Sequence, residues 1–267
     1  MNEEKQEMIV TEENKETEKE KEKEKNRHNP ALQKAREMAE QMEGVEDGTA
    51  ATTRGACYKI VGLLAVVFAS AAISFQLLSA VPSTVLKTVL ALAFAAFCTG
   101  MYTCRHPEKS AMLAPLYAVL EGAALGQVAA LDWATKSSTV LQALLITFII
   151  AALVIVVFSH EWFKIHPAFR SVVVLATGAI ALLYLADLVL ILGFGMNITL
   201  IHDVGWKGIA FSLFAIFMAI CNLALDYIEI RDLSEKNMPA YFEWFLAFGF
   251  MVSLIWLYLE ISRFLRK

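Results

Sequence analysis

Apolar segments of about 20 residues or more follow one another through most of this 267-residue chain. About 20 apolar residues in an α-helix are enough to cross the hydrocarbon core of a bilayer. Hydrophobic residues make up 57% of the chain and charged residues 19%, and many of the charges lie in the first fifty positions. Outside that region, the pattern is typical of membrane-spanning helices. We therefore predict an all-α integral membrane protein.

Seven such segments are separated by polar or proline-containing breaks. They cover approximately residues 58–78, 84–104, 111–131, 139–158, 170–192, 206–230 and 239–264. We assign residues 55–267 to a seven-helix transmembrane domain.

The N-terminal region has a different composition. Residues 1–28 alternate Glu and Lys with almost nothing to bury, which predicts a disordered charged tail. Residues 29–54 begin with Asn29-Pro30 and continue into a Gly- and Thr-rich stretch. This pattern predicts a short surface helix followed by a linker into the membrane.

Basic residues in the loops predict the orientation, because cytoplasmic loops carry an excess of Lys and Arg. With seven spans, one side receives Arg54, Lys59, Arg105, Lys109, Lys164, Arg170, Arg231 and Lys236. The loops on the other side receive Lys87, Lys136 and Lys207, and the C-terminus adds Arg263, Arg266 and Lys267. The loop bias predicts a cytosolic N-terminus. No signal peptide is visible, so the first span is expected to direct insertion.

Carboxylates interrupt the apolar segments at Glu121, Asp187, Asp226, Glu243 and Glu260. An ionisable group inside a membrane span is costly, which makes each one a functional-site hypothesis. Because Lys and Arg are nearly absent from the middle of the spans, ion pairing is not expected to neutralise most of these acids. They would then be protonated, share a proton or bind a cation, and each option makes the site sensitive to pH.

The helical rise places these acids at staggered depths. Glu121 falls near mid-membrane, Asp226 near the cytosolic end of its span and Glu243 close to the cytosolic surface. Asp187 and Glu260 lie towards the outside. Such a series suits a cation or proton pathway, and Glu121 and Asp226 are its strongest candidates. For Glu243 and Glu260 an interfacial position is an equal alternative, because Trp and Tyr neighbours are typical of the aromatic belt. Asp187 stays equally open between a functional and a structural role.

Small residues indicate how the helices pack, since they let membrane helices approach closely. The third span has Gly122 and Gly126 at a GxxxG spacing, and the fifth has a cluster of small residues at 176–179. We expect both spans in the bundle interior. A serine within a span, such as Ser253, is expected to hydrogen-bond its own backbone.

Other chemistry has little support in the sequence. The five histidines lie in loops or the tail without zinc-binding spacing, and no serine in a span has a plausible histidine base. The four cysteines show no paired spacing for a metal or disulfide. Dinucleotide and Walker motifs and a basic aromatic surface are absent from the sequence. We expect neither an enzyme nor a nucleic-acid partner nor an organic cofactor.

Several stretches, in their order and spacing, resemble the Bax inhibitor-1 family, particularly its bacterial YccA-like branch. They are Ala114-Pro-Leu-Tyr-Ala-Val-Leu-Glu-Gly122, Phe169-Arg-Ser-Val-Val-Val-Leu-Ala-Thr-Gly178, Gly208-Ile-Ala-Phe-Ser212, Asn222-Leu-Ala-Leu-Asp226, Tyr241-Phe-Glu-Trp244 and Trp256-Leu-Tyr-Leu-Glu260. Asn29-Pro30-Ala31 also resembles the start of that branch, so the resemblance covers the chain from about residue 29 to its end.

The resemblance implies a seven-helix bundle whose C-terminal helix is central, located in a bacterial cell membrane. It also implies a pH-dependent calcium leak, in which acids on the sixth and seventh helices act as proton sensor and cation gate. Asp226 matches the sixth-helix acid and Glu260 the seventh-helix acid. These two would be the Ca²⁺ ligands, with Ca²⁺ as permeant or bound ion. Lipids, calcium and protons are the implied partners.

Two alternatives stay open at this point. Asp226 and Glu260 are 34 residues apart, which is long for two acids facing each other across a short turn. Glu243 is then the better geometric partner for Asp226. The alternative function is a non-transporting membrane regulator or scaffold that binds other membrane proteins, such as a quality-control protease.

Overall fold

The computed structural model describes residues 51–78, 82–134, 139–159, 167–232 and 238–267. The predicted tail, and all of the predicted surface helix and linker before residue 51, lie outside the described residues. Within those ranges the chain forms seven long α-helices and no β-strand. They are α1 (Thr53–Leu78), α2 (Pro82–Arg105), α3 (Ser110–Ala134), α4 (Thr139–Ser159), α5 (Pro167–Phe194), α6 (Trp206–Arg231) and α7 (Tyr241–Leu265). The α2–α3 turn contains a 3₁₀ helix, Pro107–Lys109, and the α5–α6 loop a short helix, Thr199–His202.

All seven helices are long and apolar enough to cross a membrane. The prediction of an all-α membrane protein with seven spans is therefore confirmed. The helix ends differ from the predicted ones by a few residues, as at α1, which begins at Thr53 rather than near residue 58. The extra turn is polar and lies at the start of the helix, where hydropathy gives no signal.

Polar contacts bring several helix ends to one side of the bundle. The Thr53 hydroxyl donates to the backbone carbonyl of Arg231 at 3.2 Å, and the Ser110 hydroxyl donates to that of Tyr241 at 3.1 Å. The Arg231 guanidinium donates to the carbonyl of Phe158 at 3.1 Å. The starts of α1, α3 and α7 and the ends of α4 and α6 thus share one side, which we call the N-terminal side. The start of α6 and the end of α7 lie on the opposite, C-terminal side.

The C-terminal helix α7 lies at the centre of the bundle. In its most apolar segment 67% of the residues are buried, against 44% in α6 and 39% in α3. Phe248, Met251 and Ile255 pack in a cluster with residues of α1 and α3. Leu254 and Leu257 pack in a second cluster with residues of α4 and α6. The central position implied for this helix is therefore confirmed.

Helix α3 packs tightly on α1 through its two glycines. A Cβ atom at Gly122 would overlap the backbone of Val67, and one at Gly126 would overlap the backbone of Ala71. Only a hydrogen fits at these positions, so the glycines allow the two backbones to approach closely. The expectation that the third span lies in the interior is confirmed.

The same expectation for the fifth span is wrong. In α5 only 17% of the most apolar segment is buried, and a Cβ atom at Gly178 would meet nothing within 4 Å. Its neighbour Thr177 accepts a hydrogen bond from the Asn222 amide of α6 at 2.6 Å, so one edge of the small-residue cluster at 176–179 contacts α6. Small residues permit close packing, but they do not require a helix to be surrounded.

These glycines provide a matched test of packing. We expect Gly126→Ala to destabilise the protein by about 1–3 kcal/mol, because the added methyl group forces α1 and α3 apart. Gly178→Ala adds the same group in open space and should be neutral or stabilising by up to about 1 kcal/mol, the helix-propensity gain of alanine over glycine. Thermal unfolding of the detergent-solubilised variants measures both effects. An unfolding temperature of Gly126→Ala at or above that of the unsubstituted protein would contradict the packing.

Candidate functional site

Asp226 lies at the interface between α6 and α7. It is five residues before the end of α6 at Arg231, or roughly 8 Å along the helix. Its Oδ2 atom accepts a hydrogen bond from the Ser253 hydroxyl of α7 at 2.5 Å. A Cβ atom at Gly249, one turn earlier on α7, would lie 3.8 Å from Oδ1. The carboxylate therefore faces a hydroxyl and a glycine.

No cation forms an ion pair with Asp226 among the residues that the structure describes. Arg170 of α5 attracts it electrostatically, but the Arg170 guanidinium binds Glu229, which is three residues further along α6. The Ser253 hydroxyl satisfies one lone pair of the carboxylate without neutralising its charge. Asp226 thus keeps the property that made it a candidate, an acid without a salt-bridge partner inside a membrane-spanning helix.

Glu121 is the second acid without a partner. It lies near the middle of α3 and is partly buried. Its side chain forms no hydrogen bond or ion pair within the described ranges. Tyr117, one turn earlier, contacts Phe248 of α7 edge-on, with the ring centroids 5.2 Å apart. Phe248 and Ser253 point roughly 140° apart around α7, at about 100° per residue. Tyr117 and Asp226 therefore contact different faces of the central helix, and no hydrogen bond or ion pair joins Glu121 to Asp226 in the described ranges.

Glu243 connects the start of α7 to the start of α1. It forms a salt bridge with Lys59 and accepts hydrogen bonds from the backbone amide of Thr52 at 2.6 Å and from its hydroxyl at 3.0 Å. A Cβ atom at Gly55 would overlap the Glu243 carboxylate as it is placed here, so the glycine leaves room for this close approach. The side chain is buried and its charge is neutralised.

Glu260 has the most complete set of partners among the five acids. It is fully buried, with an exposed fraction of 0%. The Tyr184 hydroxyl of α5 donates to Oε1 at 2.7 Å and the Trp256 indole at 2.9 Å, while Arg263 donates to Oε2 at 3.2 Å. The Arg263 guanidinium also lies 4.3 Å from the centroid of the Tyr184 ring, a cation–π contact. This network connects the end of α7 to α5.

Asp187 holds the α5–α6 loop against α5. Its Oδ1 accepts a hydrogen bond from the backbone amide of Ile198 at 2.7 Å, and its Oδ2 lies 2.8 Å from Nε2 of His202. Nearby, the Lys267 ammonium donates to the carbonyl of Gly208 at 2.6 Å. Partial burial, and to a lesser degree repulsion by Arg263, lower the pKa of Lys267 below its usual value. The polar groups on the C-terminal side therefore fasten the loop and the chain end.

Neither candidate partner of Asp226 reaches it. Glu243 is six residues before Gly249, and Glu260 is seven residues after Ser253, which corresponds to roughly 9 and 10 Å along α7. The joint Ca²⁺ site of Asp226 and Glu260 is thus not assembled in this structure. In the part of the chain that the structure describes, no group of three or more His, Cys, Asp or Glu residues could hold a metal ion.

The expectation that most of the acids lack an ion-pair partner is wrong for Glu243 and Glu260. Lys59 lies in the second turn of α1 and Arg263 in the last turn of α7, so both cations are close to helix ends. Long basic side chains can place their charge several ångströms from their own Cα atom. The scarcity of basic residues in the middle of the spans therefore did not indicate these two ion pairs.

Ser253 is the residue of this site that the sequence interpretation missed. We expected it to bond its own backbone, but its hydroxyl donates to Asp226. The sequence did contain one indication that Ser253 has a special role: it is the only Ser or Thr in the first twenty residues of α7. The Asp187–His202 contact also had a signal, since the two residues are only 15 positions apart across one loop.

The network around Glu260 gives a stability prediction. Glu260→Gln keeps the size of the side chain but removes its charge and turns an amide donor towards the Tyr184, Trp256 and Arg263 donors. We expect a loss of about 1–3 kcal/mol, the usual cost of leaving buried polar groups without partners. Glu229→Gln, whose partner Arg170 is exposed, should cost less than about 1 kcal/mol. Equal unfolding temperatures of the two variants would contradict a structural role for Glu260.

Comparisons with known proteins agree with this architecture. A model of the family described as Bax inhibitor 1 like matches residues 9–267, which is nearly the whole chain. Searches of curated proteins and of solved structures gave no match. The match spans all seven helices and includes each of the five acids. This chain belongs to the Bax inhibitor-1-like family of integral membrane proteins.

Proposed function

We propose that this protein is a pH-sensitive cation leak channel that passes calcium, with Asp226 as its proton sensor and cation-attracting group. The observation that carries the proposal is the contact of Asp226 with Ser253 at the interface of α6 and the central helix, where no described residue forms an ion pair with Asp226. Family membership supports a membrane protein of this type. The bacterial YccA-like branch and the calcium selectivity are parts of the proposal.

The chemistry of the site follows from its single charge. When Asp226 is ionised, its negative charge attracts a cation to the α6–α7 interface. When it is protonated, the carboxyl group is neutral and this attraction is lost. Asp226 is only about 8 Å from the end of α6, so a proton or cation from the N-terminal side would have a short distance to cross. One proton therefore switches the electrostatic potential of the site.

The other acids take different parts in this proposal. Glu121 of α3 is a second ionisable group deeper in the bilayer, one turn from Tyr117, which contacts Phe248 of α7. Glu243, Glu260 and Asp187 hold helices and the α5–α6 loop in place through their own partners. Calcium is the permeant ion and is not held jointly by Asp226 and Glu260. We propose transport rather than catalysis, with lipids, calcium and protons as the partners and no nucleic acid.

The proposal also includes an orientation and a location. We place the N-terminal side in the cytosol and the protein in a bacterial cell membrane. Described basic residues at or near the helix ends of this side include Arg54, Lys59, Arg105, Lys109, Arg170 and Arg231. Such an excess of Lys and Arg favours a cytosolic position.

Calcium flux tests the proposed role of Asp226. The purified protein is reconstituted in liposomes that contain a calcium-sensitive dye, and the external pH is stepped. We expect Asp226→Asn to lose the pH-dependent part of the flux, because an amide is neutral at every pH tested. Glu121→Gln tests whether the deeper acid contributes separately.

Glu108→Gln is the matched control for this experiment. It removes an exposed acid of the α2–α3 turn, on the same side of the bundle, whose partner is His106 rather than a residue that acts on Asp226. We expect the flux of this variant to change by no more than about fivefold and to keep its pH dependence. Unchanged flux in both Asp226→Asn and Glu121→Gln would refute the proposal. Absence of flux in the unsubstituted protein would favour the non-transporting regulator instead.

Cysteine labelling tests the orientation. In a background without the native cysteines, Met196→Cys places a thiol in the α5–α6 loop, where Met196 is 59% exposed. Glu108→Cys places one in the α2–α3 turn on the N-terminal side. In intact bacterial cells, a membrane-impermeant maleimide should label the cysteine at 196 and reach the one at 108 only after lysis. The reverse pattern would show that the N-terminus is outside.

A further inference from the structure

A groove between α1, α3, α4 and α7 has a volume of about 110 Å³ and reaches the central helix. Its inner wall includes Leu254 and Ile255 of α7, which are only 7% and 5% exposed. Its outer part includes Phe68 of α1 and Phe148 of α4, which are 44% and 39% exposed. These two rings stack, with their centroids 5.9 Å apart. We call this space the lateral groove.

The lining of the lateral groove is unsuited to water. Among the described residues that line it, only Thr147 and Tyr258 have polar side chains, and the Thr147 hydroxyl donates to the carbonyl of Ala143 at 2.7 Å. A buried water needs two to four polar partners, whereas an apolar cavity stays dry and accepts apolar ligands. An apolar cavity of roughly 150 Å³ can hold benzene. The lateral groove is somewhat smaller, so its volume suits a few methylene groups.

The depth of the groove identifies the apolar ligand that surrounds it. Phe148 is the tenth of the 21 residues of α4, so it lies roughly 14 Å from either end of that helix or slightly more. The hydrocarbon core of a bilayer is about 30 Å thick. The outer part of the groove is therefore near mid-bilayer, where acyl chains are present and headgroups are not. It is also continuous with the exposed apolar surface of α1 and α4.

We propose that the lateral groove is a binding site for one acyl chain of a bilayer phospholipid, which enters between α1 and α4 and contacts α7. The chain passes the Phe68–Phe148 pair and supplies the dispersion contacts that the inner wall otherwise lacks. Among the described residues, no charged side chain lines the groove, so we expect the site to recognise the acyl chain rather than the headgroup. This inference is independent of the proposed cation leak.

Photocrosslinking in a bilayer distinguishes an inserted chain from lipid that merely surrounds the protein. The protein is placed in nanodiscs of phosphatidylcholine that carries a diazirine midway along one acyl chain, irradiated and mapped by mass spectrometry. We expect label on Leu254 or Ile255, because surrounding lipid outside the groove cannot reach these buried residues. The same lipid with its diazirine in the headgroup should leave them unlabelled.

Substitutions that fill the groove provide the control. Ala129 lines the groove on α3, and Ala129→Phe should lower labelling of the α7 residues by about tenfold or more. Leu144→Phe on α4 is a second filling variant in case the first does not fold. Ala152→Phe adds the same ring on an exposed position of α4 outside the groove and should leave α7 labelling unchanged. Label confined to Phe68 and Phe148, or α7 labelling that survives both filling variants, would overturn the proposal.

Discussion

The cost of a carboxylate in hydrocarbon determines how the central helix is held. An ionised acid away from water is tolerated only where opposite charge or several hydrogen-bond donors surround it. Glu243 meets this requirement at the start of α7 through Lys59 and Thr52 of the α1 region. Glu260 meets it near the end of α7 through Arg263 and Tyr184. Because each acid draws a different neighbour to α7, the two pairs fasten opposite ends of the helix that the others surround.

Asp226 differs from those two acids in the kind of partner it has. Its contact with Ser253 is a hydrogen bond to a neutral group, which leaves the net charge in place. Two small residues of α7, Ser253 and Gly249, face the carboxylate. A rigid salt bridge would fix the protonation state of the acid. A hydroxyl instead can donate to the carboxylate or accept from the carboxyl group, and this is why Asp226 rather than Glu260 suits a reversible proton site.

The length of the apolar segments was enough to predict seven spans, because the thickness of the bilayer imposes that length on any spanning helix. The sequence pattern did not show which helix is central, since a helix is equally apolar when it faces lipid or protein, and the family resemblance supplied that position. The wrong prediction that α5 lies in the interior has the same origin. The small residues of α5 are typical of an interior helix, yet Gly178 faces open space. The positions of the acids were visible in the sequence, and so were the partners of Glu260 within its own helix, Trp256 and Arg263, but the partners on other helices were not. Lys59, Tyr184 and Ser253 reach Glu243, Glu260 and Asp226 from other helices, so only the packing reveals them.

The two acids that form no ion pair within the described residues, Asp226 and Glu121, lie on different helices around α7. Asp226 contacts the face of Ser253 and Gly249, whereas Glu121 lies one turn from Tyr117, which packs on Phe248. A single straight path along the α6–α7 interface therefore passes Asp226 but not Glu121. For both acids to affect the same flux, the effect of one must be transmitted through α7 itself. The anchors at Glu243 and Glu260 hold that helix at its ends, so the segment between them is where such an effect would act.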